Sequence, residues 1–155
     1  MPSVSLTGED TLILSTAADS LTLVDVADGD WFVLNFDNDL AALKRGKNGN
    51  VIAAENSMGL VGTATLRVLR GSNDDKVLDS WLQSQLADFS AFLMIGGSFT
   101  KRVGDGQGNI TGDTGIMSGG IFKRAVNSMS NAEANTDQSV AVYQFEFADV
   151  QRAVA

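Results

Sequence analysis

The 155-residue chain contains neither histidine nor cysteine, so any chemistry falls to carboxylates, lysines and hydroxyls. That removes the usual general base, the usual zinc ligands and every Ser–His or Cys–His nucleophile pair. Carboxylates alone can hydrolyse glycosides, but in clefts lined with aromatic rings, and aromatic residues make up only 7% of this chain. The densest oxygen cluster is Asp105-Gly106-Gln107-Gly108-Asn109 with Thr111 and Asp113. A helix–loop–helix calcium site needs Gly at the sixth loop position and a bidentate Glu at the twelfth. Ile110 and Ile116 stand there, so the segment reads as a glycine turn. Gly104-x-Gly106-x-Gly108 lacks the dinucleotide-binding spacing, and no Gly-Lys-Ser/Thr closes a glycine run. The expectation is a protein with no catalytic residues, no cofactor and no metal, and not an enzyme.

Charge narrows the partners. Lys44-Arg45-Gly46-Lys47, Lys101-Arg102 and Lys123-Arg124 are the basic clusters, on a chain of net charge -8. A nucleic-acid site wants such residues unopposed and interleaved with exposed aromatics, so solvation or ion pairing explains them better. The acidic excess is lopsided: Glu9, Asp10, Asp19, Asp25, Asp28, Asp30, Asp37 and Asp39 precede the first basic residue, Lys44. Beyond residue 43 the eleven remaining acids balance all eleven bases. The excess serves solubility, or it marks a negative surface that repels nucleic acid. No run approaches the roughly 18 to 20 apolar residues of a membrane span. Met1-Pro2-Ser3-Val4-Ser5 has no basic segment leading an apolar core, which suggests a soluble protein made in a cytoplasm.

Most of the sequence patterns as short strands between turn signals. Thr11–Ser15, Ser20–Val24 and Trp31–Phe36 are such runs, and Gly46-Lys47-Asn48-Gly49-Asn50 between Leu40–Arg45 and Val51–Glu55 signals a hairpin. Ala64, Leu66 and Val68 alternate with Thr63, Thr65 and Arg67, and Ala141, Tyr143, Phe145 and Phe147 alternate with Val142, Gln144 and Glu146. One helix is expected from about Asn73 to Asp88. Ser72 caps it with Asp75 three residues on, and Val77, Leu78, Trp81, Leu82, Gln85, Leu86 and Phe89 form its apolar stripe. Ala91–Phe99 reads as a buried strand bent at Gly96-Gly97. Residues from about 103 to 137 are rich in Gly, Asn and Ser and read as extended hairpins. The sum is one domain over 1–155, mainly β, an antiparallel sandwich or barrel with one packed α-helix.

In their order and spacing, Val26-Ala27-Asp28-Gly29-Asp30, Gly46-Lys47-Asn48-Gly49-Asn50-Val51, Gly62-Thr63-Ala64-Thr65-Leu66 running into Ser72-Asn73-Asp74-Asp75, and the ending Phe145-Glu146-Phe147-Ala148-Asp149-Val150 resemble the tail-tube proteins of contractile-tailed, myovirus-type bacteriophages. The resemblance covers roughly residues 26–89 and the end of the chain. It implies a β-barrel or sandwich with a flanking helix, six copies closing a ring, and rings stacking into a hollow tube. A contractile sheath would surround the tube, and DNA would pass through without specific binding. The implied partners are further copies of the chain, the sheath protein, and baseplate and tail-terminator proteins. The implied location is a virion tail assembled in the host bacterial cytoplasm. Residues 103–137 depart from the family's compact pattern.

Two surfaces follow as expectations. Asp28, Asp30, Asp37 and Asp39, around the Trp31 strand, are candidates to face the tube lumen. Ile110, Ile116 and Met117, the apolar anchors of the stretch from Gly104 to Gly120, are candidates for contact between rings, the alternative being a floppy surface hairpin. Two other readings stay open: a tube subunit of a contractile secretion or bacteriocin-like device, and a monomeric β-sandwich binding module.

Overall fold

The computed structural model describes residues 4–57, 59–127 and 139–154, and the part of the Asn/Ser-rich stretch from 128 to 137 lies outside them. The strands are β1 (Ser5–Ser15), β2 (Ser20–Thr22), β3 (Phe32–Phe36), β4 (Ala41–Arg45), β5 (Val51–Glu55), β6 (Gly62–Leu69), β7 (Ile95–Gly104), β8 (Ile110–Asn127) and β9 (Val140–Val154). One helix, α1 (Asn73–Ala87), follows β6, and a single 3₁₀ turn at Phe89–Ala91 precedes β7. Seven strands form one antiparallel sheet in the order β2-β1-β7-β8-β9-β6-β3, while β4 and β5 pair only with each other.

The alternating runs explain the sheet's two faces. In β6 and β9, Ala64, Leu66, Val68, Ala141, Tyr143, Phe145 and Phe147 are buried, while the residues between them face outward. Leu12, Leu14, Leu21 and Leu23 from the opposite edge enter the same core, which requires the sheet to curl. The segment after β2 ties the edges together. Leu23 N donates to Leu12 O at 3.0 Å, Ala27 N to Arg67 O at 3.0 Å, and Leu69 N to Asp25 O at 2.9 Å. Hydrogen bonding thus passes from β1 to β6, a barrel-like closure that removes exposed edges along this seam.

Helix α1 seals the core with Leu78, Trp81 and Leu82. Its start matches the sequence: the Ser72 hydroxyl accepts from Asp75 N, and the Asp75 carboxylate reaches back to Gly71 N at 2.8 Å. Its end differs, because Leu86 and Phe89 are exposed rather than continuing the stripe. The chain turns away after Ala87, and the Gln85 amide packs against the sheet instead, bonding both N and O of Phe122 at 2.9 Å. Those two Phe122 groups lie just past Gly120, where pairing of β8 with β7 ends, so the side chain stands in for the missing strand. The expected strand over Ala91–Phe99 begins only at Ile95, with a register shift before Gly97.

Candidate assembly surfaces

The long antiparallel strands give the molecule two ends. At one end lie the β1–β2 turn with Asp19 and the turn Asp28-Gly29-Asp30 leading into β3. At the other lie the exit from β3, the root of the β4–β5 hairpin and the turn joining β7 to β8. β3 spans about 17 Å between them. Asp28, Asp30, Asp37 and Asp39 are all exposed, but as two pairs at opposite ends of β3 rather than as one wall. Asp37 also accepts from the Thr63 hydroxyl at 3.4 Å.

The hairpin is the least covered element. All ten residues of β4 and β5 are exposed. Its turn closes through Gly46 N to Asn50 O at 2.8 Å, with Gly49 at φ 84°. Leu43 and Ile52 are 75% and 70% exposed, on opposite faces of the ribbon. Among the described residues, the side chains of Lys44, Arg45 and Lys47 at its tip form no ion pair. Its base is closed by Asn56 N donating to Leu40 O at 2.8 Å, and the chain beyond it is tied to β9 by Val150 N donating to Leu60 O at 3.1 Å.

The stretch from Gly104 to Gly120 is not a free arm. It is the turn between β7 and β8 followed by much of β8, a central strand of the main sheet. Met117 is buried in the core and cannot reach a neighbouring subunit, whereas Ile110 and Ile116 are each 59% exposed on the outward face. The side chains of β8 alternate, so Met117 must point opposite to Ile116. The turn itself is self-contained. The Asp105 carboxylate accepts from Gln107 N, Asn109 N and Asn109 Nδ2, and these bonds, the last foremost, hold its pKa below the usual carboxylate value. Gly106 and Gly108, at φ 80° and 92°, supply the left-handed backbone that the turn requires.

The outward face of the sheet mixes hydroxyls and amides with charged and apolar side chains, among them Arg67, Arg102, Glu146, Ile110 and Ile116. Thr11 lies opposite Thr100, Thr100 opposite Thr114, Thr63 opposite Glu146 and Thr65 opposite Gln144. Beneath the β3 edge, a cleft of about 240 Å³ is lined by Phe32, Leu34, Phe36, Phe99, Met117 and Val150. The charged groups at its rim are engaged. Lys101 pairs with Asp10 at 3.0 Å, and Arg152 with Asp113 at 2.8 Å, the latter bond lowering the Asp113 pKa and raising that of Arg152. Such a cleft can hold an apolar side chain but presents no unpaired acid–base group. Among the described residues no three potential metal ligands cluster, and no helix is long and apolar enough to cross a membrane.

No family model matches the sequence, and no curated protein matches it either. Solved structures do. The chain superposes on one from the tube-terminating cap of the anti-feeding prophage with a TM-score of 0.60 at 13% identity, covering 93% of this chain and 88% of that one. It superposes equally, with a TM-score of 0.60 at 14% identity and the same coverage, on a chain from the sheath–tube complex of the PVC extracellular contractile injection system in its extended state. The fold is that of contractile injection system components.

One feature escaped sequence reading. Asp74, the acid just before the capping Asp75, is buried and accepts from Val24 N and Asp25 N, both at 2.8 Å. It fastens the helix start to the segment that closes the sheet. The sequence signal was thin: two adjacent acids after the cap, of which the second already supplies the capping carboxylate.

Proposed function

We propose that the chain is a structural, non-enzymatic subunit of the tube of a contractile tail or injection device. Copies close a ring, six in the reading implied by the tail-tube resemblance, and rings stack into a hollow tube inside a sheath. The observation that carries this is the shared fold over 93% of this chain and 88% of its counterparts, which leaves no room for a different domain among the matched residues. The partners that follow are further copies, a sheath protein, and the baseplate and terminator proteins at the tube's ends.

The hydroxyl- and amide-rich outward face of the sheet is the surface we assign to the lumen, in preference to the divided acidic pairs. Its threonine hydroxyls and glutamine amides offer a polyanion no phosphate–cation pairing, which leaves Arg67 and Arg102 as the cations it would meet on that face. In a bacteriophage tail the cargo would be DNA. Both structural counterparts come from injection devices, one of them a tube-terminating cap, and that favours a second reading: a tube or cap subunit of a contractile injection system.

Negative-stain electron microscopy of the purified protein over a concentration series tests the proposal. Long hollow tubes are the expected result for a tube subunit, and single rings that never elongate for a cap. A protein that stays monomeric under all salt and concentration conditions would overturn both readings and leave a binding module.

A further inference from the structure

The β4–β5 hairpin has no partner within the described residues, yet its composition is not that of an idle loop. A two-stranded ribbon standing alone in water is marginally stable, and this one exposes Leu43 on one face and Ile52 on the other. Its tip concentrates Lys44, Arg45 and Lys47, all exposed, on a chain with an overall acidic excess. The hairpin is rooted at the C-terminal end of β3. At the N-terminal end of the same strand lies the exposed turn Asp28-Gly29-Asp30, with Asp19 in the neighbouring turn. A basic tip and an acidic turn therefore sit at opposite ends of β3, with Asp37 and Asp39 at the hairpin's root and the length of the ribbon away from its tip, and tip and turn attract when copies stack head to tail.

We infer that the hairpin is a docking element whose occupant is a second copy of this chain, its basic tip seated on the Asp28–Asp30 turn. The contact is heterologous: each subunit offers its hairpin at one end and its acidic turn at the other. Repetition then generates rings or filaments rather than closed dimers. Leu43 and Ile52 lose their water-exposed surface on docking, and the paired charges set the direction and register of the contact. The inference rests on the proposed tube role and names the residues through which copies meet.

Charge reversal tests it without disturbing the core. Lys44→Glu, Arg45→Glu and Lys47→Glu together should leave the thermal midpoint of the free subunit unchanged and raise the concentration needed for assembly, read by light scattering, at least tenfold. Asp28→Lys with Asp30→Lys should do the same. Mixing these two assembly-deficient variants should restore assembly, because each then meets its complement on the other, and so should combining all five substitutions in one chain. Wild-type assembly should also weaken as salt rises. If the wild type assembles and the hairpin variant assembles as readily, this inference fails while the tube role stands. If the variants fail to assemble but mixing does not rescue them, the Asp28–Asp30 turn is the wrong acceptor and the inference fails. A wild type that never assembles overturns the inference and the tube role together.

Discussion

The last strand and the hairpin are both built from apolar residues, yet they end up in opposite environments. In β9, Ala141, Tyr143, Phe145 and Phe147 share one face and are buried, while Val142, Gln144 and Glu146 take the other. In β4 and β5, apolar side chains stand on both faces and every residue is exposed. A strict period of two fits a strand that is covered on one side by its own chain. A ribbon apolar on both sides fits no single-sided site, and among the described residues nothing covers it; in the proposed docking a second copy does. The two regions thus divide the chain into a part that stabilises the monomer and, on the proposed docking, a part that meets other copies.

The division can be broken first where the monomer is held most strongly. Trp81 is 8% exposed and packs with Leu78 and Leu82 in the core. Trp81→Ala should cost about 3–5 kcal/mol in urea or thermal unfolding, through lost burial and the cavity left behind. A cost below about 1 kcal/mol would show that the helix is not a structural cover of the sheet. Next comes Asp74. Replacing it by Ala removes the acceptor of the part-buried Val24 and Asp25 amide bonds, and the loss should be about 1–3 kcal/mol, below that of Trp81. Asp74→Asn keeps one acceptor oxygen and should recover part of the loss. If Asn and Ala are equally damaging, the two amide bonds are not the reason.

Tyr143 links the same region to pH. Its hydroxyl donates to the Asp75 carboxylate at 2.5 Å, and burial first, then that bond and the carboxylate charge, push its pKa far above the ordinary value of 10.0. The folded state keeps the proton that the unfolded chain releases near pH 10, so above that pH the unfolded state binds fewer protons and stability falls as pH rises. Below pH 10 the contribution is fully present. Tyr143→Phe should cost about 1 kcal/mol at neutral pH, and its stability should decline less steeply than wild type above pH 10. Parallel declines would mean that other groups dominate the alkaline limb.

How much of this was legible depended on whether the signal was local. The alternation in Gly62–Leu69 and Val140–Val154, the Ser72 cap, the hairpin turn at Gly46–Asn50 and the bend at Gly96-Gly97 are properties of neighbouring residues, and they are where the sequence placed them. What failed required knowledge of distant partners. Glycines from 104 to 120 suggested extended hairpins reaching toward a neighbouring ring, but glycine also lets strands approach closely. A Cβ at Gly120 would lie 2.6 Å from Ile95 O, so the residue is small because the sheet is tight there. Met117 looked like a surface anchor because it is one of the few apolar residues in a glycine-rich stretch, whereas it is buried in the core. The four aspartates looked like one patch because they are near in sequence, whereas β3 holds the pairs apart. Asp74 was invisible because its amide partners lie 49 and 50 residues away.

The smallest expected effect on the monomer is also the sharpest test of the division. Leu40 and Asn56 are already joined by a backbone hydrogen bond of 2.8 Å at the hairpin's root, so residues 41–55 can be replaced by a two-glycine link without moving the body. Among the described residues β4 and β5 pair with nothing else, and their side chains are not part of the buried core. Their excision should therefore change unfolding free energy by less than about 0.5 kcal/mol, the range of substitutions remote from any core feature. In the intact free subunit, amides of β4 and β5 should exchange with solvent far faster than those of β6 and β9, because so little apolar contact protects them. Assembly should reverse that order for the hairpin alone, slowing its exchange while β6 and β9 change little. A truncated protein that loses several kcal/mol would show that the hairpin belongs to the fold after all. Equal protection of the hairpin before and after assembly would show that it is not where copies meet.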